Sequence, residues 1–166
     1  MTIEELNRAI KSYTIPRVFF FFGEETYLLE NKIKSIKDKI VPKDLVSFNF
    51  SYLNSDKITP DEIIEAAEIF PQVSDRRLVV VKNSGLFSNL TTGNFKSIKE
   101  YILNLPEYVC LIFWEDGFDP KKVKSMKFIE ECGGGIVNFE YYPLYYCFDQ
   151  WLFIHWTIHS PTSSVW

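Results

Sequence analysis

The most constraining feature of the sequence is an apolar run in which polar residues do not alternate with apolar ones. Residues 18–22 read VFFFF, directly after Arg17. A half-buried strand alternates apolar and polar residues, because successive side chains point to opposite faces of the sheet. A short continuous run is instead typical of a strand buried on both faces of a parallel sheet. The run therefore predicts a buried strand over residues 17–22.

Helical and strand-like segments alternate along the rest of the chain. Further strands are predicted at residues 46–53, 77–82, 108–114 and 136–139. Helices are predicted before the first strand, after Gly23, and at residues 59–69, 95–103 and 121–132. Strands separated by helices indicate a parallel sheet with right-handed crossovers. The predicted fold class is α/β, a five-stranded parallel sheet with helices on both faces.

Local capping signals and periodicity support the predicted helices. Thr2 precedes Glu5 by three positions, which is the spacing of a capping box. Thr59 is followed by Pro60 and then by acidic residues, a favourable helix start. In the long helix after Gly23, five side chains are predicted to face the core: Tyr27, Leu28, Ile33, Ile36 and Ile40.

The composition changes near residue 140. The chain has 166 residues, enough for one domain and a short extension. No Lys or Arg follows Lys127, and ten of the 28 residues from 139 to 166 are aromatic. We therefore predict an AAA+-like domain at residues 1–140 and an aromatic-rich tail at residues 141–166. The tail could pack on the domain, mediate association, or be a truncated or aberrant C-terminus, and we favour the third interpretation.

Charge and cysteine content restrict the possible partners. The net charge of −4 argues against a domain that holds DNA by itself, because phosphate binding depends on clustered Lys and Arg. Cys110, Cys132 and Cys147 form no CxxC pair, which suits a reduced cytoplasmic setting, and Cys110 is predicted to be buried. No uninterrupted apolar stretch of ~18 residues is present, so we expect no membrane-spanning helix.

The turn after the first strand lies where many nucleotide-binding folds place a phosphate loop. Such a loop reads GxxxxGK[ST], so that backbone N–H groups and a lysine can contact the phosphates. Here Gly23 is followed by Glu24 and Glu25, which suit the positive end of a helix dipole and repel a triphosphate. The third strand ends at Lys82-Asn83, where a Walker-type ATPase has an acid that helps to hold Mg²⁺. We therefore expect no nucleotide cofactor and no metal.

Three other groups of residues could carry chemistry. Glu115 and Asp116 follow the fourth strand and could act as paired acids, but no nucleophile or histidine accompanies them. His155 and His159 are four positions apart, which is too few ligands for zinc. Four lysines after Asp119 could contact a DNA backbone, although a solvated helix face is the commoner role for such a group: Lys121, Lys122, Lys124 and Lys127.

Four segments resemble, in order and spacing, the N-terminal domain of the delta subunit family of bacterial DNA polymerase III. They are VFFFFGEETYLLE at residues 18–30, SDRRLVVVKN at 74–83, VCLIF at 109–113, and Phe139 with Pro143-Leu144. The resemblance covers about residues 1–144. It implies an AAA+-like, RecA-like domain of the P-loop type without a working P-loop and without catalysis of its own, in a subunit of the DNA polymerase III holoenzyme.

The resemblance also implies partners and a binding site. Family members bind the ring-shaped sliding clamp, the beta subunit, and help to open it for DNA replication, while other clamp-loader subunits hydrolyse ATP and contact with DNA is indirect. The clamp contact lies just before the SDRR segment, where this sequence reads IFPQV at residues 69–73. Gln72 and Val73 replace the usual apolar pair. The resemblance therefore implies Phe70 as the anchor, with Ile69 and Val73 assisting.

Two alternatives remain open on the sequence alone. Ile69 and Phe70 could end their helix and pack inward, in which case they would contact no partner. The whole chain could instead be a small doubly wound ligand-binding domain or enzyme that uses the carboxyl ends of its strands.

Overall fold

The computed structural model describes residues 1–55 and 58–140. The predicted tail at 141–166, with Cys147, His155 and His159, lies outside the described residues. The helices are α1 (Ile3–Lys11), α2 (Thr26–Ile40), α3 (Val46–Asn49), α4 (Pro60–Glu68), α5 (Gly93–Leu103) and α6 (Lys127–Glu131). The strands are β1 (Val18–Phe22), β2 (Phe50–Asn54), β3 (Arg77–Lys82), β4 (Val109–Glu115) and β5 (Gly135–Asn138). Two 3-10 helices span Lys43–Leu45 and Pro120–Met126.

The five strands form one parallel sheet in the order β2-β3-β4-β1-β5. β1 therefore lies between β4 and β5, and Phe20 is opposite Phe113 on one side and Ile136 on the other. Every residue of β1 is buried. This central position explains why its sequence is continuously apolar, and it confirms the predicted sheet.

Helices cover both faces of the sheet. Phe19 and Phe21 pack in a cluster with apolar residues of α1 and α2, whereas Phe20 and Phe22 pack in a second cluster with residues of α4, α5 and α6. Adjacent side chains of β1 enter opposite clusters because the side chains of a strand alternate between faces. The predicted two-sided arrangement is therefore confirmed.

The first and fourth helices begin where the sequence predicted. Thr2 with Glu5 and Thr59 with Glu62 form reciprocal capping boxes at the starts of α1 and α4. Each box satisfies backbone N–H groups that have no partner within the helix. Within the described ranges, no helix is both long and apolar enough to cross a membrane.

The prediction that Tyr27 faces the core is wrong. Its side chain is 74% exposed, and Leu29 is fully buried on the same helix. The buried stripe of α2 is formed by Leu29, Ile33 and Ile36, which are separated by four and three positions and so share a helix face. Leu28 and Ile40 are partly buried against the same core cluster, as predicted.

Two element boundaries also differ from the prediction. The strand predicted at 46–53 begins only at Phe50, because residues 46–49 form helix α3. The last residue of this helix, Asn49, hydrogen-bonds the distant Gln72. The helix predicted at 121–132 is divided into a 3-10 segment (Pro120–Met126) and the short α6. The two helix types differ by one residue in hydrogen-bond spacing, which the apolar pattern of so short a segment does not distinguish.

Candidate functional site

The turn between β1 and α2 is closed by the chain itself. Gly23 has φ +127°, and a Cβ at this position would lie 2.2 Å from the carbonyl oxygen of Phe139. The Phe139 N–H donates to the carbonyl of Phe22 at 2.7 Å, and the Phe139 carbonyl accepts from the N–H of Glu25 at 2.9 Å. The N–H of Glu25, the residue before α2, therefore has a partner within the domain, in the place where a phosphate loop would face its ligand.

An acidic crevice lies beside this turn, at the carboxyl ends of β1, β4 and β5. Its volume is about 720 Å³. The lining includes four carboxylates and no Lys or Arg: Glu24, Asp116, Asp119 and Glu140. A crevice at this edge of a parallel sheet is the usual ligand position in open α/β folds. Its charge is opposite to the one that a nucleotide triphosphate requires.

The end of β3 carries a network of side chains in place of a metal-binding acid. The ammonium of Lys82 lies 3.6 Å from the centre of the Trp114 ring and 3.7 Å from Oδ2 of Asp116. The Asn83 side chain donates to Asp116 at 2.9 Å and accepts from its N–H at 2.8 Å. These contacts join the ends of β3 and β4 and leave Asp116 engaged with its neighbours.

Glu115, the other residue of the predicted acid pair, has a separate role. Its carboxylate is buried and accepts hydrogen bonds from the N–H of Ser84, at 3.0 Å, and from the Ser84 hydroxyl. Burial raises the pKa of Glu115, and the hydrogen bonds from Ser84 oppose that shift. Because Glu115 holds the loop after β3 while Asp116 bonds to Asn83, the two carboxylates do not converge on a reacting atom.

Two further kinds of site, a metal centre and a reactive cysteine, can be examined among the described residues. No group of three or more His, Cys, Asp or Glu side chains in residues 1–55 and 58–140 is placed to hold a metal ion. Cys110 is fully buried, as predicted, and burial raises the pKa of its thiol to about 12. A thiol with such a pKa stays protonated at neutral pH and is a poor nucleophile.

Of the four lysines after β4, one is bonded to the backbone and three are exposed. Lys122 donates to the carbonyl of Ser88 at 3.0 Å. Lys121, Lys124 and Lys127 are exposed. The exposed positions agree with a solvated face.

A second surface lies at the opposite, amino-terminal end of the sheet. Eight large apolar side chains are exposed in the described part of the chain, and three of them lie between residues 69 and 73. Ile69, Phe70 and Val73 are 50%, 71% and 92% exposed. The alternative in which Ile69 and Phe70 pack inward is therefore wrong. We call residues 69–73 the α4–β3 loop.

One aromatic contact supports Phe70 from below. Its ring lies 5.0 Å from the ring of Tyr108, centroid to centroid and tilted by 55°. The Tyr108 hydroxyl donates to the carbonyl of Glu68 at 3.3 Å, close to the end of α4. Phe70 is thus oriented by a neighbour while most of its surface remains accessible.

The α4–β3 loop is held by two polar residues that were not predicted as site residues. Arg77, at the start of β3, is buried and donates to the carbonyl of Ala66 at 2.7 Å, to the Ser51 hydroxyl at 2.7 Å and to the carbonyl of Phe48. Asn49, which is completely buried, hydrogen-bonds the backbone of Gln72. The SDRR segment was the available signal for Arg77, whereas a lone Asn before a strand gave none.

Arg76, the other arginine of the SDRR segment, bonds a different part of the chain. Its guanidinium donates to the carbonyl of Ile15 at 2.8 Å and to that of Pro16 at 3.1 Å. These carbonyls precede β1, so Arg76 connects the approach to the central strand with the start of β3. The two arginines therefore stabilise the amino-terminal end of the sheet, from which the α4–β3 loop projects.

The sequence model of a known family, described as DNA polymerase III, delta subunit, matches residues 19–133. The chain belongs to the DNA polymerase III delta subunit family. The DNA polymerase III subunit delta of Bacillus subtilis (strain 168) is 34% identical over 76 residues, which cover 46% of this chain and 22% of that protein.

Two solved structures share the fold of this family member. The Bacillus subtilis DNA clamp loader delta protein superimposes with a TM-score of 0.75 at 22% identity, over 95% of this chain and 48% of that one. A DNA polymerase III gamma subunit-related protein of Thermotoga maritima gives a TM-score of 0.51 at 15% identity, over 88% and 47% of the two chains. The present chain thus spans about half the length of these solved relatives, and the likeness supports the AAA+-like fold.

Proposed function

We propose that this chain is the clamp-binding domain of a clamp-loader delta subunit, and that it docks on the sliding clamp through Ile69, Phe70 and Val73. Membership of the delta subunit family supports the role, and the cluster of exposed apolar side chains in the α4–β3 loop carries the assignment. In this proposal the domain grips the beta clamp near its subunit interface and helps to open it during DNA replication in the cytoplasm.

The free energy gained by burying these three side chains is large enough to support specific binding. Complete burial of an Ile, Phe or Val side chain contributes roughly 1.5–3 kcal/mol. Association costs several kcal/mol in lost freedom, so the three side chains supply specific binding only if the loop is already ordered. A small number of aromatic and aliphatic anchors commonly dominates the free energy of binding in protein interfaces.

The proposed role is non-catalytic. The closed β1–α2 turn and the acidic crevice both disfavour ATP, so ATP hydrolysis is assigned to other subunits of the loader. Those subunits would contact parts of a full-length delta subunit that this chain does not span, and DNA would be reached only indirectly. We also propose that residues 1–140 form this domain and that residues 141–166 form a separate tail.

The direct test is binding of the 166-residue chain to an immobilised cognate clamp. Replacing Ile69 and Phe70 together by alanine should abolish measurable binding, because it removes the anchor and its neighbour, while the melting temperature stays unchanged. Tyr27→Ala is the matched control, since Tyr27 is equally exposed on another surface. Failure of the wild-type chain to bind, or full binding by the double variant, would contradict the proposal.

A further inference from the structure

One buried side chain fixes the backbone of the α4–β3 loop. The Nδ2 of Asn49 donates to the carbonyl of Gln72 at 2.8 Å, and its Oδ1 accepts from the N–H of Gln72 at 2.7 Å. Asn49 is completely buried, whereas Gln72 is exposed, so both bonds are partly shielded from water. The contact joins residues 23 positions apart and fixes the peptide groups on both sides of Gln72.

The next residue has a backbone conformation that its side chain disfavours. Val73 has φ +50°, in the left-handed region that β-branched residues rarely adopt. Its side chain is 92% exposed and therefore gains almost no packing within the domain. A conformation of this kind persists only where the surroundings determine it. Asn49 constrains the backbone before Val73, and the Ser74 hydroxyl, which donates to the carbonyl of Arg76 at 3.1 Å, constrains it afterwards.

Arg77 anchors the same segment at its start. Its guanidinium bonds the carbonyl of Ala66 near the end of α4 and the carbonyl of Phe48, the residue before Asn49. The helix α3 that carries Asn49 is thus tied to α4 and to β3. The loop between these fixed points exposes apolar side chains, while partly buried hydrogen bonds hold its backbone at Gln72.

We propose that Asn49 is a positioning residue for clamp docking, which holds the α4–β3 loop in its binding conformation before the two proteins meet. This inference rests on the proposed function. Ordering a loop during association lowers affinity, and a loop that is ordered beforehand avoids that cost. When only a fraction of molecules has the competent loop, the apparent association rate falls to that fraction of its full value.

The test measures association and dissociation rates of the 166-residue chain on an immobilised clamp. Asn49→Ala should lower the association rate about tenfold and change the dissociation rate less than about twofold. Phe70→Ala should instead raise the dissociation rate, because it removes a contact of the bound state. Asn104→Ala is the matched control: it also removes a side-chain bond to a backbone carbonyl, that of Glu100, and should change neither rate.

The possible outcomes separate the inference from the function on which it rests. If the wild-type chain does not bind the clamp, the proposed function fails. If Phe70→Ala weakens binding and Asn49→Ala leaves both rates unchanged, the positioning role is wrong. If Asn49→Ala does not fold, Asn49→Ser is measured in its place, because its short uncharged side chain cannot make both bonds to Gln72, and the same change in the association rate is expected.

Discussion

The carbonyl oxygen of Phe139 accepts a hydrogen bond from the backbone N–H of Glu25, at 2.9 Å. The residue after β5 thereby caps the start of α2, the helix that follows the central strand. In a phosphate-binding fold this end of the helix would be free for an anion. The domain uses the Glu25 N–H for its own stability, and the exposed apolar α4–β3 loop lies at the other end of the sheet.

Substitution of glycines should show how tightly the β1–α2 turn is closed. Gly23→Ala combines a positive φ with a Cβ 2.2 Å from the Phe139 oxygen, and we expect it to lower the free energy of unfolding by about 3 kcal/mol. Gly117→Ala, with φ +67° and open space, should cost about 1 kcal/mol. Gly93→Ala, at the start of α5, should have little effect. Urea unfolding measures all three, and equal stability of the variants would contradict this description.

Arg77 should be hard to replace even by another cation. Arg77→Lys loses the planar fork that reaches Ala66, Ser51 and Phe48, so buried carbonyls lose their partners. We expect the free energy of unfolding to fall by roughly 2–4 kcal/mol. Arg8→Lys, on the exposed face of α1, is the control and should match the wild type in the same urea titration. A stable Arg77→Lys variant would show that these bonds are dispensable.

Part of this organisation was predictable from the sequence. The run at 18–22 predicted a buried strand because a strand covered on both faces has no polar side, and the acids after Gly23 predicted a turn unsuited to phosphate. Asn49 could not be predicted, since its partner Gln72 is distant in sequence and only the tertiary fold brings them together. Tyr27 was misplaced because a one-residue shift along a helix rotates a side chain by about 100° and moves it off the buried stripe.

The stability of the domain should depend on pH through Glu115. Burial raises its pKa above the usual 4.5, so between pH 4.5 and the folded-state pKa the folded state retains a proton that the unfolded chain has released. The contribution of Glu115 is therefore complete below pH 4.5 and is lost as the pH rises through the folded-state pKa. Glu115→Gln should remove this slope, which is at most about 1.4 kcal/mol per pH unit. Urea titrations across this range provide the measurement.

Glu62 serves as the control of opposite sign. A hydrogen bond from the Thr59 backbone lowers its pKa, so its contribution is present above pH 4.5 and is lost as the pH falls through the folded-state pKa. Glu62→Gln should therefore lower the free energy of unfolding at neutral pH, and in acid its free energy of unfolding should match that of the wild type. An unchanged pH profile for Glu115→Gln would mean that its carboxylate is not desolvated as described.

Nucleotides should leave the melting temperature unchanged. A ligand at one hundred times its Kd adds about 2.7 kcal/mol to the free energy of unfolding, a shift of several degrees for a chain of this size. With millimolar ATP and Mg²⁺ we expect a shift below about 1 °C, because the acidic crevice repels triphosphate and the Glu25 N–H is already bonded to Phe139. The melting temperature is also measured with flavins. A large shift with either class would favour the ligand-binding alternative.

A hydrogen-exchange footprint of the 166-residue chain, with and without the sliding clamp, tests the central claim most directly. It compares the two ends of the sheet in one experiment. We predict that the clamp protects the backbone amides of residues 69–75 and leaves those lining the acidic crevice, at 23–24 and 116–119, unchanged. Protection confined to the crevice, with none in the α4–β3 loop, would contradict the account.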